Sequence, residues 1–490
     1  MNRYKMYSGF TPALPPPKHP MSSLPPELLA EIFQYCSTYN ADAPLLLGSV
    51  NRRFREIVHS HPAVWYKLRL RLGFGTEFAQ IQKAGLWFKN RGACPLKVFL
   101  NITNTCAPRS DTSEQEWFSH NYPFLIALFR KNIHRIHALT LQSDTELKAY
   151  HLLDAITASS PVSPTESLQL HSLHFQITAD IPPMPSGWSP VFESFSLFPQ
   201  LDSLKLINHI LPALTPPNIV HLQNLSIVRP LTAPPLPTLK ILRMISSAPS
   251  LIHLDIDSRI SGEPLSDLHV ETELPALKSL SLRINNLPST LKLLASASLE
   301  KLRLTDLDGR RPRAGEELGS VMANLTRELK TKDGNSGGLD LLKSLEIAGV
   351  HCVSSTSAHW DWCIRHLPRL ESLTLNKSGF VSLIKVLTEI QPEHLDVQGG
   401  FYCPRLSYVH LSSVDALLLL QDLKMKRPSL TVEWDNGGPV WHHSIPDHPR
   451  TTFSYTTGGY GFASLFDYDR RHIEDTQVKG VSLTDEDSSW

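Results

Sequence analysis

An α/β fold is what this sequence predicts: a small N-terminal module of three helices, then a solenoid whose short parallel strands stack into one sheet backed by helices, with loosely ordered tails. Two observations carry the solenoid. The pattern L-x-x-L-x-L, with aliphatic variants, recurs ten times between residues 136 and 411, and stretches of helical length and pattern fall between copies. A third observation sets the module apart: residues 24–68 hold three apolar helical stripes and no copy of the repeat.

Residues 1–20, MNRYKMYSGFTPALPPPKHP, are Pro-rich and polar, with too little apolar surface to offset the entropy of ordering, so they are expected to be disordered. They contain no apolar stretch of the kind a signal peptide needs. The module, residues 21–70, opens on Leu24-Pro25-Pro26-Glu27, where proline loses no hydrogen bond because a helix start leaves its N–H groups free. Leu28, Leu29, Ile32, Phe33 and Cys36 then form one apolar stripe, with Glu27, Glu31 and Gln34 opposite. A second helix begins near Pro44 and carries Leu45, Leu46 and Leu47. A third holds Val50, Phe54, Ile57 and Val58 on one face and Arg52, Arg53, Arg55 and Glu56 towards water. Pro62 ends it, and Trp65 and Leu68 fold back as a lid. A core this small leans on a partner, which makes the segment a docking module.

The same residues resemble the F-box family. The resemblance rests on the Leu24-Pro25-Pro26-Glu27-Leu28-Leu29 start, the Ile32-Phe33 pair, the Val50-Asn51-Arg52-Arg53-Phe54 stretch and the Pro62, Trp65, Leu68 close. With an irregular leucine-rich-repeat-like array behind it, the arrangement is similar to fungal members of that family. The resemblance implies binding to the Skp-type adaptor of a cullin–RING ubiquitin ligase. Carried over from the family pattern, Leu24, Pro25, Leu28, Leu29, Ile32 and Phe33 would touch that adaptor or hold the touching surface.

Residues 71–95 are expected to form a helical connector that buries Phe78, Ile81, Leu86, Trp87 and Phe88, and Pro95–Leu100 an opening strand. The solenoid is assigned to residues 96–432. Its copies start at Ile136, Leu170, Leu201, Leu222, Leu251, Leu277, Leu299, Leu342, Leu370 and Leu406. The spacing resembles an irregular leucine-rich repeat, whose usual period is about 20 to 29 residues. In each copy the last two apolar residues alternate along a strand and point inward, and the first closes the preceding turn. Leu239-Leu242-Met244 also fits by eye but lies 12 residues before the next copy. It is read as a return helix, Thr238 to Ser247, ended by Pro249. Further return helices are expected at Ser289–Ala297 and Gly379–Ile390. The Asn or Cys that ladders between turns in regular arrays does not recur, and residues 308–339 read as an inserted loop around a short helix. Residues 433–490 read as a cap packed through Trp434, Trp441 and Phe453, followed by an acidic tail.

Charge is balanced, with 47 Lys and Arg against 47 Asp and Glu, which gives no global argument for nucleic acid or a membrane surface. No apolar run reaches the roughly 18 residues of a membrane span. The six cysteines (36, 94, 106, 352, 363 and 403) include no C-x-x-C. Reduced intracellular thiols, in cytoplasm or nucleus, are therefore expected rather than disulfides or zinc.

No phosphate-binding loop or hydrolase elbow is present. Gly458-Gly459-Tyr460-Gly461 lacks the strand and third glycine of a dinucleotide site. His442-His443, Asp447 and His448 lack the spacing that sets two rings on one helical face. Trp360 and Cys363, flanked by His359 and His366, have core spacing. Arg310-Arg311-Pro312-Arg313 is a loop charge cluster or a nuclear-import element, largely neutralised by Glu316 and Glu317. No catalytic residue, metal or cofactor is assigned.

The expectation is a non-enzymatic substrate adaptor, with a Skp-type adaptor and through it a cullin at one end and a target protein on the repeats. A scaffold that binds the Skp-type adaptor outside any ligase, and an enzyme without a recognisable signature, remain alternatives. Outward positions on the concave face of three central copies are His253, Asp255 and Asp257, then Ser279, Ser281 and Arg283, then Lys301, Arg303 and Thr305. Asp255, Asp257, Arg283, Lys301 and Arg303 are the candidate target-binding residues; cross-strand ion pairing is the other reading of the same charges.

Overall fold

A computed structural model describes residues 21, 24–73, 76–102, 122–157, 169–178, 198–209, 219–261, 272–295, 299–308, 314–328, 338–350, 358–376, 381–389, 400–412 and 417–435. Outside these lie both tails, the Arg310–Arg313 run, the Gly458–Gly461 stretch, the His442 cluster, Trp441 and Phe453.

Helix α1 (Pro26–Tyr39), α2 (Ala43–Val50) and α3 (Arg52–Ser60) come first. Helix α3 begins where the Asn51 side chain accepts a hydrogen bond from Phe54 N at 2.8 Å, relieving one of the free N–H groups of a helix start. The short turn Pro62–Trp65 follows, and Trp65 is buried with its indole donating to Val58 O at 2.7 Å.

Leu68 was expected in a lid but lies in a strand. Residues Lys67–Arg71 form β1, which pairs in parallel with β2 (Leu96–Asn101). A boundary at 70/71 therefore cuts through a strand. The connector between them is the helix Glu77–Arg91. Trp87 and Phe88 from it are buried as expected, whereas Phe78 faces solvent. Trp87 packs edge-on against Trp65 at 4.8 Å, so one core runs from the three helices into the sheet.

The sheet continues with β3 (Ile136–Ser143), β4 (Ser172–Ile177), β5 (Ser203–Ile207), β6 (Asn224–Val228) and β7 (His253–Asp257). It is completed by β9 (Ser279–Ile284), β11 (Lys301–Asp306), β12 (Ser344–Ala348), β13 (Ser372–Asn376), β14 (Tyr408–Ser412) and β15 (Thr431–Asp435). Two short strands, β8 (Thr272–Glu273) and β10 (Leu294–Ala295), pair with each other in a separate two-stranded sheet. Among the described residues the main sheet has 13 strands in chain order, and each pairing is parallel. N-terminal helices followed by an α/β solenoid is thus the architecture.

Every copy of the motif supplies one of the strands β3–β7, β9 and β11–β14, and its three apolar positions are buried. From Leu204 the middle residues stack in register through Leu225, Leu254, Leu280, Leu302, Leu345 and Leu373 to Val409. Each fully buried aliphatic side chain contributes about 1.5–3 kcal/mol. No single turn closes its own apolar face, which is why the turns stack.

Main-chain bonds do the work of the missing asparagine ladder. From β4 to β13, one carbonyl at the turn entering each strand of the main sheet accepts two N–H groups from the next turn. His171 O takes Asp202 and Ser203 N, Gln223 O takes Ile252 and His253 N, and Glu371 O takes Ser407 and Tyr408 N.

The return helix at Leu239–Met244 spans Thr238–Ser246, as the spacing predicts, and Val381–Thr388 lies inside the expected Gly379–Ile390. Ser289–Ala297 is different: a short helix Leu287–Leu291 is followed by β10. The insertion at 308–339 contains a 15-residue helix, Ala314–Glu328, rather than a short one. It belongs to the outer layer and packs on the helix Ala358–Arg365, where Trp360 donates to Gly315 O at 2.7 Å.

Candidate functional site: an apolar face on the first two helices

The apolar residues of α1 do not form the single stripe the spacing suggested. They divide between two faces about 100° apart. Leu29 and Phe33 are fully buried, Phe33 edge-on to Phe54 at 4.9 Å. Leu28 and Ile32 are 46% and 39% exposed, and the same outer face continues through Tyr35 and Tyr39 at 64% and 70%. The two tyrosine rings lie 5.0 Å apart with their hydroxyls hydrogen-bonded at 3.0 Å. Leu45, Leu46 and Val50 of α2 are exposed as well, Val50 having been expected on the inner face of the third helix. Seven of the twelve exposed large apolar side chains among the described residues thus fall between positions 28 and 50. Concentration on that scale marks an interaction surface, whereas isolated exposed leucines do not.

The face is held rigidly from behind. Arg53 donates to Leu24 O at 2.5 Å and Arg55 to Gly48 O at 2.9 Å, so the basic side of α3 ties down the start of α1 and the end of α2. Lys83 of the connector helix pairs with Asp42 just before α2. Leu24 is partly buried against the core and Pro25 is exposed. Of the six residues carried over from the family pattern, then, Pro25, Leu28 and Ile32 face outward, while Leu29, Phe33 and part of Leu24 support them. Tyr35, Tyr39, Leu45, Leu46 and Val50 were missing from that set. Their i, i+4, i+7, i+11 spacing from Leu28 was the available signal for the two tyrosines.

A second surface is the sheet face turned away from the buried leucines. The central residues take the register their spacing implied: Asp255 lies opposite Ser281 and Asp257 opposite Arg283, then Ser279 opposite Lys301 and Ser281 opposite Arg303. The charges largely satisfy one another. Arg283 pairs with Asp257 at 3.0 Å, Arg303 with Glu346 at 3.1 Å, and Ser226 donates to Asp255 at 3.1 Å. Burial pushes the Asp257 carboxyl above its usual range, an effect only partly opposed by Arg283. Near the C-terminal ends of β6, β7, β9 and β11 a cleft of about 830 Å³ is lined by Pro234, Pro235, Arg259, Ile260 and Asp308 among others.

One buried polar cluster escaped the sequence reading. Tyr150 and His209 Nε2 are hydrogen-bonded at 2.6 Å, and His209 Nδ1 lies 3.9 Å from Glu146. Burial raises the Tyr150 hydroxyl well above its ordinary value, with Glu146 adding to the effect. These residues come from the helix Glu146–Thr157 and the segment just after β5, so the cluster ties one turn to another. The buried thiols of Cys363 and Cys403 are pushed up to about 12 by burial, which keeps them protonated at neutral pH. His366 Nδ1 donates to Trp362 O and the ring stacks on that indole at 4.0 Å, while Trp360 and Cys363 are core. Among the described residues no three His, Cys, Asp or Glu side chains are placed to hold a metal ion, and no helix is long and apolar enough to cross a membrane.

No curated protein matches the chain. Residues 21–71 match the F-box-like family model. The match spans α1 to α3, the Pro62–Trp65 turn and β1, and it contains the whole exposed apolar face, so an F-box-like domain heads the chain.

Proposed function

We propose that this protein is the substrate-recognition subunit of an SCF-type cullin–RING ubiquitin ligase, working inside the cell in ubiquitin-dependent degradation. Its F-box-like domain docks a Skp-type adaptor, and through that adaptor a cullin. Its leucine-rich-repeat-like array, of the irregular kind similar to fungal F-box proteins, holds the target. The observation that carries the reading is the exposed face of Leu28, Ile32, Tyr35, Tyr39, Leu45, Leu46 and Val50 inside the F-box-like match. A docking helix buries such residues at the centre of an interface, with polar groups at the rim.

The mechanism is proximity. Holding the target and the ligase core at once raises the effective concentration of target lysines near a charged conjugating enzyme. This protein performs no chemistry itself in that scheme. Support for a fixed geometry comes from the shared core: Trp65 and Trp87 join the docking module to β1, and Arg91 donates to Pro62 O at 2.7 Å.

Affinity purification of the tagged chain, with the proteasome inhibited, tests the proposal. A Skp-type adaptor and a cullin should both be recovered, and proteins accumulating with them should carry ubiquitin. Recovery of the adaptor without a cullin would make the chain a scaffold outside any ligase. Recovery of neither would end the reading.

A further inference from the structure

The open face of the sheet is not uniform in charge. From β7 onward opposite charges meet across strands, as in Asp257–Arg283 and Arg303–Glu346. At the start of the sheet they do not. Lys67, Arg69 and Arg71 of β1 and Lys97 of β2 point to the open side, and none forms an ion pair with a described residue. Among the described residues the outward positions of β1 to β5 carry no carboxylate. Lys67 stands directly opposite Lys97 in the register, an arrangement that destabilises a sheet. Arg69 lies over the Phe99 ring at 4.9 Å, which presents its guanidinium on an apolar platform.

Edge protection is the simplest other use for cations on a first strand. Here the edge is already covered by the connector helix. Trp87 donates to Lys67 O at 2.8 Å, and the Gln80 side chain accepts from Arg71 N at 3.3 Å. Thr76 Oγ1 donates to Arg71 O at 3.2 Å. Lys97, moreover, is on an interior strand. Repelling charges kept where no described residue pairs them fit a surface awaiting an anion.

We propose that Lys67, Arg69, Arg71 and Lys97 form a docking site for an acidic polypeptide segment of the target, beside the F-box-like domain rather than at the centre of the array. This deepens the proposed function and rests on its placing of the target on the sheet. Neighbouring strands are about 4.8 Å apart, so a segment laid across β1 and β2 brings carboxylates to all four cations, with Asn101 and Gln142 beside them. A site next to the docking module would also hold the target near the ligase core.

The test uses the full chain bound to its Skp-type adaptor and a fluorescent decaglutamate peptide, read by anisotropy at several salt concentrations. Binding should weaken as salt rises. Arg71→Glu with Lys97→Glu should weaken it by roughly tenfold or more. Arg283→Glu with Arg303→Glu should change it by less than about twofold, because those charges are already paired. Arg71→Gln with Lys97→Gln, checked by an unchanged melting temperature, guards against misfolding of the reversed variant. Failure of the wild type to bind, or equal losses from both patches, would overturn the proposal. So would tighter binding of a single-stranded oligonucleotide of equal charge that the same variants abolish. Binding that emerges only after Asp111, Glu114 and Glu116 of residues 103–121 are made neutral would assign the site to this chain itself and also overturn it. The proposed function fails separately, through loss of adaptor and cullin; capture of targets undiminished by Arg71→Glu with Lys97→Glu would sink this site alone.

Discussion

Gly319 sits in the helix Ala314–Glu328 directly beneath the Trp360 ring. A Cβ at this position would lie 2.7 Å from Trp360 Nε1 and 2.8 Å from Cδ1. Trp360 has nowhere to go, since it is fully buried and its indole N–H is bonded to Gly315 O. Gly319→Ala therefore sets two effects against each other. Alanine gains about 1 kcal/mol of helix propensity over glycine. Overpacking the ring costs about 1–3 kcal/mol, and displacing the indole from its acceptor adds about 1 kcal/mol more. The net expectation is a loss of about 1–3 kcal/mol, read as a lower urea midpoint with little change of slope. The same substitution in a Trp360→Leu background meets no ring and should be neutral or stabilising, so the double-mutant cycle should show strong coupling. A stabilising Gly319→Ala in the native background would refute this account of the helix pair.

Phe33→Ala should cost about 3–5 kcal/mol within the three-helix module, whereas Ile32→Asp should cost about 1 kcal/mol or less because Ile32 is only half-buried on the outer face; hydrogen exchange of α1 separates them, and equal losses would contradict the division of α1 into two faces. His174 is held at about 4 by burial, with Lys205 adding to the effect, and its occluded Nε2 has no partner. The folded chain thus refuses a proton that the unfolded chain takes up below 6.5. Stability should be intact above that pH and fall by up to about 3 kcal/mol as pH drops towards 4, and His174→Gln should flatten the slope; an unchanged slope would assign it to other groups. The Asp257–Arg283 pair is partly exposed, so a double-mutant cycle should give at most about 1 kcal/mol of coupling, weaker in high salt. A coupling above about 2 kcal/mol would mark a far drier site.

The strands were legible because each copy repeats one physical requirement: two inward aliphatics at period two and a third closing the turn. Leu251, Leu254 and Ile256 illustrate it, and the same rule separated Leu239–Met244 as a helix because a full turn does not fit into 12 residues. Strand β1 was not legible, since Lys67-Leu68-Arg69-Leu70-Arg71 abuts the module and lacks the motif's first leucine. The helix Ala314–Glu328 was hidden by Gly315 and Gly319, which read as loop residues but serve the contact with Trp360. On α1, apolar residues at 28, 29, 32 and 33 fill two faces at once. Sequence spacing alone does not say which face is core and which is docking surface; burial does.

The outer face of α1 and α2 should dock a Skp-type adaptor. Titrating purified adaptor into the chain, wild type against Leu28→Asp with Leu46→Asp, tests it most directly. Both positions are solvent-facing, so the fold should survive, and a carboxylate buried without a partner in the complex should weaken binding by about a hundredfold or more. An affinity equal to that of the wild type, with the fold intact, would contradict the account.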